Sequence, residues 1–140
     1  MADWVLFALG AAFFAGLTAV LAKIGVEGVP ASLATMIRTA VILVFTTAVV
    51  FVGRQWTSGP LSRRSLVFLC ISGITTGLSW LCYFNALQRG PASIVAPLDK
   101  LSVVVAIGLA VIFLGERLSP SQWAGASLIV AGAVLLAIPR

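Results

Sequence analysis

Apolar residues fall in long blocks along this chain. Residues 4–22, 39–53, 65–88, 101–115 and 118–139 contain no Asp, Glu, Lys or Arg. A spanning helix needs about 20 mostly apolar residues, at a rise of about 1.5 Å each, to cross a hydrocarbon layer about 30 Å thick. Three blocks reach that length nearly unaided, and the other two reach it by admitting a charge near one end. The pattern predicts five helices, at roughly 4–26, 32–53, 66–88, 93–114 and 121–138. Polar and helix-breaking residues separate them: Gly28-Val29-Pro30, Ser58-Gly59-Pro60 with Arg63-Arg64, Arg89-Gly90-Pro91, and Gly115-Glu116-Arg117-Leu118-Ser119-Pro120. The expected fold is an all-α membrane protein, with one domain over residues 1–140 and its function inside the helical bundle.

Composition agrees. Of 140 residues, 61% are hydrophobic and 9% charged, against about 45–50% and about 25% in soluble domains. The acid at Asp3 stands where a secretory leader would carry bases, and the first apolar block is long for a leader core. Trp4, Trp56 and Trp123 fall at helix ends on the side of the N-terminus, where amphipathic rings prefer the headgroup level. Trp80 lies in the middle of a helix. The net charge of +5 is spread over short connections, as expected of membrane flanks rather than of a nucleic-acid footprint. Arg54, Arg63, Arg64 and Arg117 lie on the N-terminal side, and Lys23, Arg38, Arg89, Lys100 and Arg140 on the other. So even a distribution instructs orientation weakly, and insertion either way is expected.

The chain has no His, which excludes His-based catalysis and His metal sites. Cys70 and Cys82 lie twelve residues apart in one block, about 120° apart around a helix. They are expected to be unbridged, buried and structurally ordinary. No nucleotide-binding loop is present, so ATP is not the expected direct energy source. Close helix packing is expected at the Gly73/Gly77 pair, along Ala8, Ala12 and Gly16, and along Gly125 and Gly132.

Ionisable groups inside a membrane cost about 2.5–3.5 kcal/mol each on insertion scales, so those present call for a role. Lys23, Arg38, Asp99 and Lys100 come from three helices and share a predicted depth of about 6–10 Å below one face. Neighbours on a helix point about 100° apart, so Asp99 is expected to pair with Lys23 or Arg38 rather than with Lys100. The remaining positive charge would attract an anion or the acidic end of a zwitterion; a purely structural ion-pair cluster is the alternative. Pro97 removes a backbone hydrogen bond next to these charges. It either interrupts the fourth helix, as in transporter substrate sites, or starts that helix. Ser72, Thr76, Ser79 and Tyr83 form a polar stripe flanked by Trp80 and Phe84. The stripe is expected to face the bundle or a wet cavity, as a solute wall or as interhelical glue. The candidate substrate-binding residues are therefore Lys23, Arg38, Ser79, Trp80, Tyr83, Asp99 and Lys100; no catalytic or metal site is expected.

The stretch from Asn85-Ala86-Leu87-Gln88 through Gly115-Glu116-Arg117-Leu118-Ser119-Pro120 to the Gly-rich last helix resembles the EamA domain of the drug/metabolite transporter superfamily. So does Ala15-Gly16-Leu17-Thr18-Ala19 leading to Lys23-Ile24-Gly25. The resemblance covers essentially the whole chain as one five-helix repeat. It implies one half of an inverted-repeat transporter fold, where members usually carry two repeats, and a cavity lined by the first, third and fourth helices. It also implies a non-enzymatic secondary transporter of metabolites or drugs; with the charged residues above, the expectation is an exporter or exchanger of a small organic metabolite, anionic or zwitterionic. The expected setting is the inner (plasma) membrane, with membrane lipids and a second copy of the chain, antiparallel by the flat charge count, as partners. No cofactor is implied, and proton or ion coupling through Asp99 stays open. The alternatives are a lipid-binding or lipid-flipping subunit and a non-transporting scaffold.

Overall fold

The computed structural model describes residues 3–54, 59 and 61–138; Trp56, Ser58, Pro60 and Arg140 lie outside the described residues. The described chain is helical: α1 (Asp3–Gly25), α2 (Ala31–Val52), α3 (Arg63–Arg89), α4 (Ala92–Asp99), α5 (Ser102–Leu109), a π-helical segment (Ala110–Leu114) and α6 (Pro120–Ala137). Five spans among the described residues are long and apolar enough to cross a membrane: α1, α2, α3, the composite Ala92–Leu114, and α6. The expected helices start and stop within a few residues of these bounds. The fourth differs in kind, because it is built of three pieces.

Two compact units share the chain. The first, Ala22–Arg89, holds the end of α1, its connection to α2, and the α2–α3 pair. Pro30 precedes α2, and Gly28 has φ +72°, a left-handed turn that glycine adopts without a Cβ penalty. Val26, Ala31, Thr35, Phe84 and Leu87 are its buried residues. Thr35 and Thr39 return their hydroxyls to the carbonyls of Ala31 and Thr35, at 2.8 Å each. A hydroxyl satisfied within its own helix adds no unpaired polar group to an apolar span.

The second unit comprises the residues up to Leu21 and those from Gly90 onward. Here α4 and α5 pack on α6, and Ala19 and Ala133 are buried. Ser119 caps α6: its backbone N–H donates to Gln122 Oε1 at 2.7 Å while its Oγ accepts from the Gln122 N–H at 3.4 Å, with Pro120 opening the helix. Such a reciprocal cap satisfies two backbone donors that a helix start otherwise leaves open.

Two packing expectations are corrected. A Cβ built on Gly16, Gly73, Gly77, Gly125 or Gly132 would meet nothing within 4 Å, and Ala8 and Ala12 are exposed. Within one chain these small-residue faces are open instead of packed. Cys70 and Cys82 are free, as expected, but both are exposed. The reason is common to both: single helices, each apolar around most of its circumference, leave large surfaces uncovered when only five spans are present.

Candidate functional site

In the Ala22–Arg89 unit, the end of α3 and the turn before α2 hold each other by reciprocal bonds. Lys23, in the last turn of α1, donates from Nζ to the Leu87 carbonyl at 2.6 Å. That carbonyl lies in the last turn of α3, where the helix has no amide left to offer and its dipole is negative. Gln88 Nε2 in turn donates to the Val29 carbonyl. Between the two bonds lie Val26, 2% exposed, and Leu87, fully buried. A cleft of about 510 Å³ opens beside them, lined by Lys23, Val26, Glu27, Gly28, Val29, Pro30 and Gln88.

Deeper in the same unit, α2 presents Arg38 to α3. Its guanidinium carbon sits 4.3 Å from the centre of the Trp80 indole and 5.8 Å from that of the Phe84 ring. Trp80 and Phe84 are four residues apart, so they stack on one face of α3, and Phe84 is buried against α2. Among the described residues Arg38 has no hydrogen bond and no ion pair. A delocalised guanidinium tolerates an aromatic face better than an ammonium does, because it is less strongly hydrated. Tyr83 is half-buried, with its ring 6.3 Å from that of Phe84, and Ser79 is exposed.

The polar stripe on α3 departs from expectation. Ser72, Thr76 and Ser79 are exposed and not turned into this unit. Thr75 and Thr76 donate to the Ser72 carbonyl at 2.9 and 2.8 Å. Local return to the backbone removes the need for a partner across the bundle.

In the other unit, α4 begins at Ala92 behind Pro91 and contains Pro97, so the reading in which the helix starts at Pro97 is overturned. The α-helical ladder breaks just beyond that proline. Lys100 and Leu101 donate to the carbonyls of Pro97 and Leu98, and Val103 and Val104 to those of Lys100 and Leu101. These are three-residue steps, the tighter winding that marks an interrupted helix. The expectation that Asp99 and Lys100 would not pair is corrected here. Asp99 pairs with its neighbour, Lys100 Nζ to Asp99 Oδ2 at 3.4 Å, because the long, flexible lysine stem can reach back to the adjacent carboxylate. The pair is long and about half exposed (55% for Lys100, 36% for Asp99), so its strength is modest. Beside it runs a groove of about 420 Å³ lined by Ala96, Pro97, Lys100, Leu128, Ile129, Gly132 and Ala133, in which Lys100 is the one charged residue.

The described residues contain no cluster of His, Cys, Asp and Glu able to hold a metal ion. Five apolar spans with ionisable groups set inside them define a multi-pass helical protein of the inner membrane. The family model for the EamA-like transporter family matches residues 2–138: the chain belongs to the EamA-like transporter family. It is 48% identical over 137 residues to an uncharacterized transporter in the cobO 3′ region of Sinorhizobium sp., covering 97% of each chain. It is 34% identical over 76 residues to an uncharacterized protein of Methanocaldococcus jannaschii, covering 54% of this chain and 56% of that one. A third similarity, 31% over 85 residues, is to a probable 4-amino-4-deoxy-L-arabinose-phosphoundecaprenol flippase subunit ArnE of Aeromonas salmonicida, covering 59% of this chain and 75% of the relative. No solved structure matches.

Proposed function

We propose that this chain is a secondary transporter, an exporter or exchanger of a small organic metabolite, working as an antiparallel homodimer by alternating access. The observation that carries the reading is Arg38: a charge held inside a span, stacked on Trp80 and Phe84, in a protein whose family transports solutes. A permanent charge at that depth is costly unless something uses it. Lys23, in the same unit, adds positive charge while holding α3, and the half-buried Tyr83 supplies a wall with apolar and hydroxyl character. In the other unit, Asp99 and Lys100 sit at a helix interruption, where freed backbone groups and a titratable carboxylate are at hand for coupling to a proton or an ion. A second copy supplies cover for the open helix faces; few residues are buried within one chain. The near-even basic residues support insertion in both directions.

Purified protein in sealed proteoliposomes, with a gradient of candidate organic acids and amino acids, tests the transport reading. Saturable flux that Arg38→Gln abolishes is the expected result, and absence of flux for every solute class and gradient defeats it. A cytoplasm-only reporter after Arg140 tests the antiparallel arrangement. Signal from a single orientation, unmoved when Arg63 and Arg64 are relocated, removes that part.

A second reading has its own support. The similarity to a probable flippase subunit, with the apolar groove that Lys100 also lines, favours a lipid-handling subunit. Ordered acyl chain bound along Leu128, Ile129 and Gly132 is the observation that would prefer it.

A further inference from the structure

Of the three candidate cations, Lys23, Arg38 and Lys100, two are already engaged. Lys23 is committed to the Leu87 carbonyl, and Lys100 to the Asp99 carboxylate. Arg38 alone of these three has neither carbonyl nor carboxylate, and its interactions among the described residues are with rings. Stacking takes up the faces of a guanidinium and leaves its edge. That edge carries N–H donors in a planar fork whose spacing matches two oxygens of a carboxylate or phosphate. With Trp80 at 4.3 Å and Phe84 at 5.8 Å, the guanidinium is held against two rings before any ligand arrives. Less ordering is then required on binding.

We propose that Arg38 is an oxyanion fork, prealigned by Trp80 and Phe84, which binds the single carboxylate or phosphate group of an anionic ligand through two parallel hydrogen bonds. Trp80 is thereby a positioning residue for Arg38 and not a wall for the ligand body; Tyr83, half-buried and adjoining Phe84, is placed to meet that body. One fork neutralises one oxyanion, so the ligand class is singly anionic: an organic monoacid, a zwitterion bound by its acidic end, or a phosphate diester. A lipid headgroup and a free solute share this chemistry. The inference deepens the transport reading, and only the identification of the anion as cargo rests on that reading.

The test uses the full chain with Trp4, Trp56 and Trp123 replaced by Phe, so that Trp80 is the reporter. Benzoate, glutamate and inorganic phosphate are titrated against protein in phosphatidylcholine nanodiscs, with tetraethylammonium as the cationic control. A parallel arm replaces phosphatidylcholine with phosphatidylglycerol. The expected result is a saturable change in Trp80 emission with at least one anion and none with the cation. Arg38→Gln removes it, and Arg38→Lys, which keeps the charge but not the fork, weakens it about tenfold or more. A change produced by phosphatidylglycerol alone assigns the oxyanion to a headgroup, and one produced by soluble anions in phosphatidylcholine assigns it to a solute. In case the Arg38 variants fail to fold, modification of Arg38 by phenylglyoxal in the unaltered chain, read by mass spectrometry, must slow in the presence of the same anion. No saturable anion response in either lipid, an Arg38→Lys response equal to the parent's, or an unprotected Arg38 overturns the proposal. Anion binding without flux in sealed vesicles leaves the fork standing and removes the transporter. Flux of a cationic or neutral solute with Trp80 indifferent to anions does the reverse.

Discussion

The two units of this chain use similar apolar helices for opposite ends. In Ala22–Arg89 the helices run unbroken, and polar groups are spent on holding them: Lys23 on the Leu87 carbonyl, Gln88 on that of Val29, Arg38 on two rings. In the other unit the fourth span is cut at Lys100–Leu101 and widened at Ala110–Leu114. Asp99 and Lys100 pair with each other at 3.4 Å, about half exposed. Fixing a charge requires an acceptor on another element; interrupting a helix frees acceptors that nothing fixes. One unit is therefore built to hold a position, the other to change shape at low cost.

Four substitutions can break or sharpen this contrast, taken from the largest expected effect. Leu87→Ala empties the fully buried point of the first unit and should lower stability by about 2–5 kcal/mol, read by unfolding in mixed micelles; a loss below about 1 kcal/mol would deny this unit a core. Lys23→Met keeps the apolar stem and deletes the ammonium. A charge-assisted bond of this kind is worth about 1.5–3 kcal/mol, and hydrogen exchange should rise in the last turn of α3 while α4 and α5 stay as they were. Pro97→Ala restores a backbone donor in α4. It should add about 1 kcal/mol and slow amide exchange at Lys100, Leu101, Val103 and Val104, and it should reduce flux if the interruption is needed to move. Gly73→Ala meets open space in the single chain and should change stability by no more than about 0.5 kcal/mol. A drop in the dimer fraction on chemical crosslinking would then place α3 between copies.

Helix positions were legible because a membrane span writes itself in consecutive residues: among the described residues each block without charge became helical, and Gly28-Val29-Pro30 and Gly90-Pro91 separate helices as expected. The interruption was half legible. Pro97 announces a lost donor, but the tightened steps fall three residues later, where Lys100 and Leu101 carry no breaker signal. Lys23 bonding to Leu87 had no sequence signature, because its acceptor is a backbone carbonyl, the same in every residue. Arg38 and Trp80 were within reach. They lie seven residues after the start of α2 and nine before the end of α3, and such depth matching on neighbouring antiparallel helices would have paired them. The Asp99–Lys100 pair was misread because the angle between neighbouring Cα–Cβ bonds does not limit the reach of a four-carbon lysine stem.

The wide turn at Ala110–Leu114 has a bearing on how this protein tolerates insertion and deletion. A π turn takes up one residue more than an α turn, so the segment stores a spare position just before the left-handed Gly115. Deleting one residue there would convert the turn to ordinary α-helix and leave everything upstream in phase, whereas the same deletion in α5 would rotate all that follows by about 100°. Length variation among its kin should therefore collect at this one point of the fourth span.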